Sequence, residues 1–221
     1  MTEDEWFTTT DPAPMLHALD GRTSARKVRL FACACCRLVW DSLTPLSSKR
    51  VVEVAERYAD GEVSERELNQ ARSLAAAAAQ KSVRHGSRFR SNHPAREREG
   101  RQFFAADVAL TDKNIKLRMM FPGHGNPVVQ DEMLKAAAPS LLRCVFQCPS
   151  VSTEFHPSWR TEAAVALARG MYETRSFDAA PILADALEEA GCSDAAVLGH
   201  LRGGGPHVRG CYVCDAVLGL E

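Results

Sequence analysis

The chain has 221 residues, with 27 basic and 28 acidic side chains and a formal charge of -1; 45% of residues are apolar and 25% charged. These proportions exclude a wholly disordered or collagen-like chain, and also a nucleic-acid binder recognisable by net charge alone. The length suits one domain of moderate size or two small ones, with core enough to fold without covalent staples.

Eight cysteines are too few for a disulfide framework in a chain this long, but they raise metal and thiol chemistry as questions. The first six residues, Met1 to Trp6, are acidic where a secretory signal would be basic and then apolar. No apolar stretch approaches the roughly 20 residues that span a bilayer. The expectation is a cytoplasmic protein with no membrane partner, its cysteines present as thiols, thiolates or metal ligands.

Helix signals dominate. Asp11-Pro12 predicts a capped start for a short helix through Met15, Leu16 and Leu19 to Gly21. Thr23 or Ser24 caps a second helix to about Trp40, apolar on nearly every face and therefore central. Thr44-Pro45 starts a third through Val51, Val52, Ala55 and Tyr58, closed by Gly61. Ser64 and Glu67 have capping-box spacing ahead of Leu68, Ala71, Leu74 and five consecutive alanines from Ala75 to Ala79.

The pattern breaks between about Lys81 and Gln102, where seven basic side chains face only Glu97 and Glu99 and Gly86, Asn92, Pro94 and Gly100 interrupt any helix. This reads as a basic, flexible loop. Beyond it, Phe103 to Leu110 is a helix candidate, Ile115 to Met119 alternates like a short strand, and Phe121 to Gly125 is a turn-rich joint.

Helices then resume. One runs from the Asn126-Pro127 cap to about Gln147, another from about Ser158 to Thr174, a third from Asp178 to Gly191. Ser193 or Asp194 opens a short one, and the last follows the Gly203-Gly204-Gly205-Pro206 break and covers Val208 to Leu218. The fold class expected is all-α, a bundle of seven to nine helices in one compact unit. Its parts are an N-terminal helical part over 1-80, the basic loop and joint over 81-125, and a C-terminal helical part over 126-221.

Chemistry concentrates in the second half. Cys33 and Cys36 form a C-x-x-C pair, but they lie about two turns inside an apolar helix, away from the helix start whose free N–H groups stabilise a redox thiolate. With Cys35 they read as core packing. His207, Cys211, Cys214 and Asp215 share one face if the last helix includes them all, and His-x-x-x-Cys-x-x-Cys resembles half of a zinc site. A fourth ligand has to come from elsewhere, with Cys192, Cys144, Cys148 and His156 as candidates and Cys192 preferred. Buried thiols beside a hydrogen-bonded histidine are the plainer reading of the same residues.

Arg202, Gly204, Gly205 and Arg209 suggest an anion site, with glycines permitting close backbone approach and a new helix offering N–H groups. No Gly-Lys-Ser/Thr follows, so it is not a P-loop. Arg84, Arg88, Arg90 and Arg96 could contact nucleic-acid phosphates, with Phe89 available to stack. There is no Gly-x-Ser-x-Gly elbow, no cysteine set beside a histidine in a polar context and no defensible acid–base carboxylate pair.

Several stretches resemble a family of uncharacterised proteins from planctomycete bacteria: Met1 to Trp6 with Asp11 to Leu16, Arg26 to Trp40, Val51 to Gly61, and above all Pro181 to Cys192 with Gly204 to Asp215. The resemblance implies a bacterial origin and a cytoplasmic context, and it carries no established activity with it. The middle of this chain is basic where that pattern is alanine-rich; Cys148 stands where it is polar and Cys214 where it is apolar, whereas His207 and Cys211 match it.

The functional expectation is a non-enzymatic interaction or scaffold protein whose amphipathic helices meet another protein. The alternatives are a zinc-binding or thiol-active protein centred on the C-terminal His/Cys group, and nucleic-acid binding through the basic loop. No cofactor is expected, and zinc is the one these residues could take.

Overall fold

The computed structural model describes residues 1–86, 101, 105–106, 132–151 and 154–220. Among these, the chain forms ten α-helices and no strand, as the all-α expectation requires. They are α1 (Glu3–Thr8), α2 (Pro12–Ala18), α3 (Ala25–Leu38), α4 (Leu46–Ala59), α5 (Glu65–Gly86), α6 (Glu132–Val145), α7 (Glu162–Thr174), α8 (Ala180–Glu189), α9 (Ala195–Arg202) and α10 (Tyr212–Leu218). No helix among the described residues is long and apolar enough to cross a membrane.

Most starts follow the caps in the sequence. Asp11 accepts from the Ala13 N–H, Ser24 from Lys27, Ser64 from Glu67 and Asp194 from both Ala196 and Val197. The helix beyond the expected count is α1. Its signature is short but complete, since Thr2 and Glu5 cap each other's backbone N–H reciprocally.

Three boundaries move. Helix α5 runs through Lys81 to Gly86, because the alanine run propagates the helix past the first basic residues rather than yielding to them. Helix α7 starts at Glu162 with Thr161 as its cap, the expected Ser158 lying instead in a 3-10 turn over Pro157–Trp159. Helix α10 starts at Tyr212, four residues later than expected. The start of the Asn126-Pro127 helix, the 103–110 helix, the 115–119 strand and the 121–125 joint lie outside the described residues, apart from Ala105 and Ala106, which are helical.

Packing divides the chain into two units, one of residues Thr10–Pro139 and one of Met1–Thr9 with Ser140–Glu221. In the first, α4 packs against both α3 and α5. Leu30, Phe31, Cys33, Cys35 and Cys36 on α3 are buried, as are Val51, Val52 and Ala55 on α4. Leu68, Ala71, Ala75 and Ala79 line one face of α5, where small side chains allow close approach. Cys33 reaches only the Val52 carbonyl, at 3.9 Å, and burial pushes all three α3 thiols far above their ordinary pKa, so these cysteines are packing residues.

In the second unit α7 packs against α8 and α10, and α8 against α9. Leu183, Leu187, Ala168, Met171, Val197, Leu201, Val213 and Val217 form its core together with Cys144, Cys192, Cys211 and Cys214. The first nine residues belong here because Arg143, near the end of α6, donates to the Trp6 and Thr9 carbonyls at 2.9 and 2.6 Å while the Trp6 ring is buried. The Arg160 guanidinium likewise holds the Val217 carbonyl at 2.9 Å.

Candidate metal centre

Four side chains from three separated segments converge in the second unit. Cys144 comes from the last turn of α6, His200 from the last turn of α9, and His207 and Cys211 from the loop between α9 and α10. One ligand atom from each lies within 4.8 Å of all the others. His200 Nε2 approaches Cys211 Sγ to 3.3 Å. Tetrahedral zinc with Zn–S near 2.3 Å and Zn–N near 2.0–2.1 Å sets its ligand atoms about 3.3–3.8 Å apart, so the four groups stand near the required spacing.

The positions follow from local structure. Asp194 caps α9, which then carries His200 six residues on, with its ring at 4.7 Å from Tyr212 and 4.8 Å from His207. The chain leaves α9 at Gly203 and does not re-enter helix until Cys211, the N-cap of α10. Gly210, just before Cys211, has φ +96°, a conformation glycine adopts without steric cost. Its N–H donates to the Tyr172 hydroxyl at 2.7 Å, and that hydroxyl donates in turn to buried Asp215. The Tyr172–Asp215 pair thus clamps the turn that presents Cys211 from both sides, with Asp215 N–H also bound to the Cys211 carbonyl at 2.9 Å.

The electrostatics single out one sulfur. Burial would push the Cys211 thiol up, but the Cys144, Cys214, His200 and His207 side chains around it outweigh burial and hold it well below the ordinary range. Cys214 moves the other way, first because it shares its proton with Cys211 and second because it is buried. The two sulfurs are thus pushed in opposite directions, Cys211 towards the thiolate and Cys214 towards the thiol. His207 is held above its usual pKa: burial opposes its charge, but the Cys211 sulfur and the Gly203 backbone prevail. Even so, neither ring nitrogen of His207 completes a hydrogen bond of full geometry among the described residues, although both are buried. A buried histidine so placed is uncommon and asks for a partner that the described residues do not supply.

The ligand set read from the sequence, His207, Cys211, Cys214 and Cys192, is half retained. His207 and Cys211 are in the group of four. Cys214 faces Cys211 as a donor, and Cys192 is buried in the core at the turn after α8. The argument from a shared helical face fails for His207, which precedes α10 in the loop. Cys144 was among the candidates for a fourth ligand. Cys148, another, bonds Ser150 at 3.1 Å, and His156 caps the turn at Ser158. His200 was missed altogether. The signal was present as His-x6-His-x3-Cys, but the glycine break between the two histidines hides that they meet.

The four residues read as an anion site are placed as follows. Arg202 pairs with Asp185 at 2.8 Å and Glu188 at 2.5 Å, and no helix begins after Gly204, Gly205 and Pro206, so no free helical N–H groups stand there. Arg209 lies over the Tyr172 ring at 5.5 Å. For the nucleic-acid reading, the backbone at Arg84 is part of α5, while Arg88, Arg90 and Arg96 lie outside the described residues.

Comparison with protein-family models, with curated proteins and with solved structures finds no match to this chain.

Proposed function

We propose that this is a zinc-binding protein in which Cys144, His200, His207 and Cys211 hold one Zn²⁺ as a structural centre. The single observation that carries this reading is His207, whose two buried ring nitrogens, beside two sulfurs and a second imidazole, complete no hydrogen bond among the described residues. Two cysteines and two histidines are the donor set and number of a closed tetrahedral zinc site, with no position left for a reacting water. Such an ion would tie the end of α6 to α9 and to the loop before α10. Its role is to fasten the second unit, and partner binding would be the work of the surface so fastened.

Elemental analysis of protein purified without chelators tests this directly. The expected result is one zinc per chain, lost in Cys211→Ser and His207→Ala and kept in Cys148→Ser. Zinc far below one per chain, or full zinc in Cys211→Ser, overturns the proposal. Cobalt substitution supplies a second readout, since tetrahedral thiolate ligation yields sulfur-to-cobalt charge transfer that an adventitious surface site lacks.

A further inference from the structure

Beside the four ligands the second unit holds a cavity of about 350 Å³, bordered by Cys144, His200 and His207. That volume falls within the range of small-molecule sites, which combine an apolar wall with a few directed polar groups. Here the apolar wall is aromatic, made by Trp6, Phe7, Phe146 and Tyr212.

The polar groups are one-sided. Arg143 and Gln147, four residues apart across the end of α6, both border the cavity. The Arg143 guanidinium spends Nε and one terminal nitrogen on the carbonyls of Trp6 and Thr9, and among the described residues no carboxylate pairs with it. The Gln147 side-chain nitrogen is buried and has no hydrogen-bond partner. Glu3, the one acid among the bordering residues, is exposed to solvent. At the end of α6 the cavity thus presents a cation and an unmet amide donor, and among the described residues no carboxylate answers either.

We infer that this cavity binds a small aromatic carboxylate, its ring against Trp6, Phe7 and Phe146 and its carboxylate between Arg143 and Gln147. Both unmet groups are donors on one side of an aromatic box, and a planar anion with two acceptor oxygens satisfies both at once. A neutral ring would leave the guanidinium without its counter-charge. A free phosphate would leave the aromatic wall unused. The inference does not rest on the metal centre, because neither Arg143 nor Gln147 is a ligand.

The test uses the full-length protein as purified, with benzoate as the probe and benzamide as its neutral counterpart, followed by calorimetry and by the Trp6 indole signal in NMR. Benzoate is expected to bind saturably at millimolar concentration or below, and benzamide about tenfold more weakly, the factor for losing a hydrogen bond to a charged group. Gln147→Leu, which touches none of the contacts that hold α1, should weaken benzoate severalfold and leave the fold intact. Arg143→Gln should abolish binding, but it also removes the ties to Trp6 and Thr9, so Gln147→Leu is the deciding variant. No saturable shift, equal binding of benzamide, or unchanged binding in Gln147→Leu overturns the inference.

Discussion

Replacing Tyr172 by Phe removes a single oxygen that lies outside the four-ligand group, and it should nonetheless loosen the centre. The hydroxyl accepts from the Gly210 N–H at 2.7 Å and donates to Asp215, which is 1% exposed. Depriving a buried N–H of its acceptor costs about 1–3 kcal/mol, and removing a donor from a buried carboxylate costs about 1.5–3 kcal/mol. Together these amount to about 3–5 kcal/mol, and the ring itself stays to fill its space. With a denaturant slope near 2 kcal/mol per molar, the urea midpoint of the second unit should fall by about 2 M. Following the Leu183 and Val213 amide signals through a urea titration measures it. Tyr212→Phe is the matched control: its hydroxyl is exposed and reaches the Ala196 carbonyl at only 3.3 Å, so its loss should cost within about 0.5 kcal/mol. Because Gly210 and Asp215 flank Cys211, zinc transfer to a chelator should also accelerate by about 10–100-fold in Tyr172→Phe. Equal midpoints for the two variants, with unchanged zinc transfer, would refute the clamp.

Two further outcomes follow from charge and burial. In the first unit Arg37 grips buried Glu56 with bonds of 2.9 and 2.7 Å and lies 3.9 Å over the Trp40 ring. Arg37→Met should destabilise that unit by about 3–5 kcal/mol through the carboxylate left behind, and the double variant Arg37→Met/Glu56→Met should recover most of the loss in thermal melts; a double variant no better than the single one would count against it. Thiol labelling separates the two cysteine groups by pH. Burial raises Cys33, Cys35 and Cys36, and a thiol with a raised pKa stays protonated until the pH exceeds that value, so these three should resist iodoacetamide even at about pH 9 until the protein unfolds. The Cys211 thiol is held well below the ordinary range, so it should react at lower pH than an ordinary cysteine once zinc is removed and be shielded while zinc is bound. Labelling of Cys35 in folded protein at pH 9 would contradict the first half, and inert Cys211 after chelation the second.

Local signals carried the helices well because their causes are local. Ser24, Ser64 and Asp194 cap the N–H groups two or three residues on, and the Leu68, Ala71, Ala75 and Ala79 face has helical spacing whatever it packs against. Where local signals competed, expectation and structure parted. The alanine run kept α5 helical to Gly86 against the basic residues that suggested a break. Pro206 suggested an immediate helix start, yet α10 waits for Cys211, after Gly210 has turned the chain.

The candidate centre was legible by residue type and not by membership. That His207 and Cys211 are metal-capable is a property of their side chains, and their spacing was visible in the sequence. Cys144 and His200 join them only because α6 and α9 end at the same point in the core, 67 residues separating Cys144 from Cys211 along the chain. A one-dimensional spacing argument works when all ligands share one helix, and the loop between α9 and α10 breaks that condition. The same holds for the cavity, where Trp6 and Gln147 are brought together by the Arg143 bonds to the α1 carbonyls.

What the sequence determined by itself was the class of fold and the inventory of reactive groups, since capping, helix propensity and side-chain chemistry act over a few residues. Tertiary structure alone decided which groups meet: the Cys211 thiol is pushed down and the Cys214 thiol up, His207 is buried with no hydrogen bond to the described residues, and Arg202 is taken up by Asp185 and Glu188. The physical reason is that burial and through-space charge depend on distances across the fold, which the order of residues along the chain does not contain.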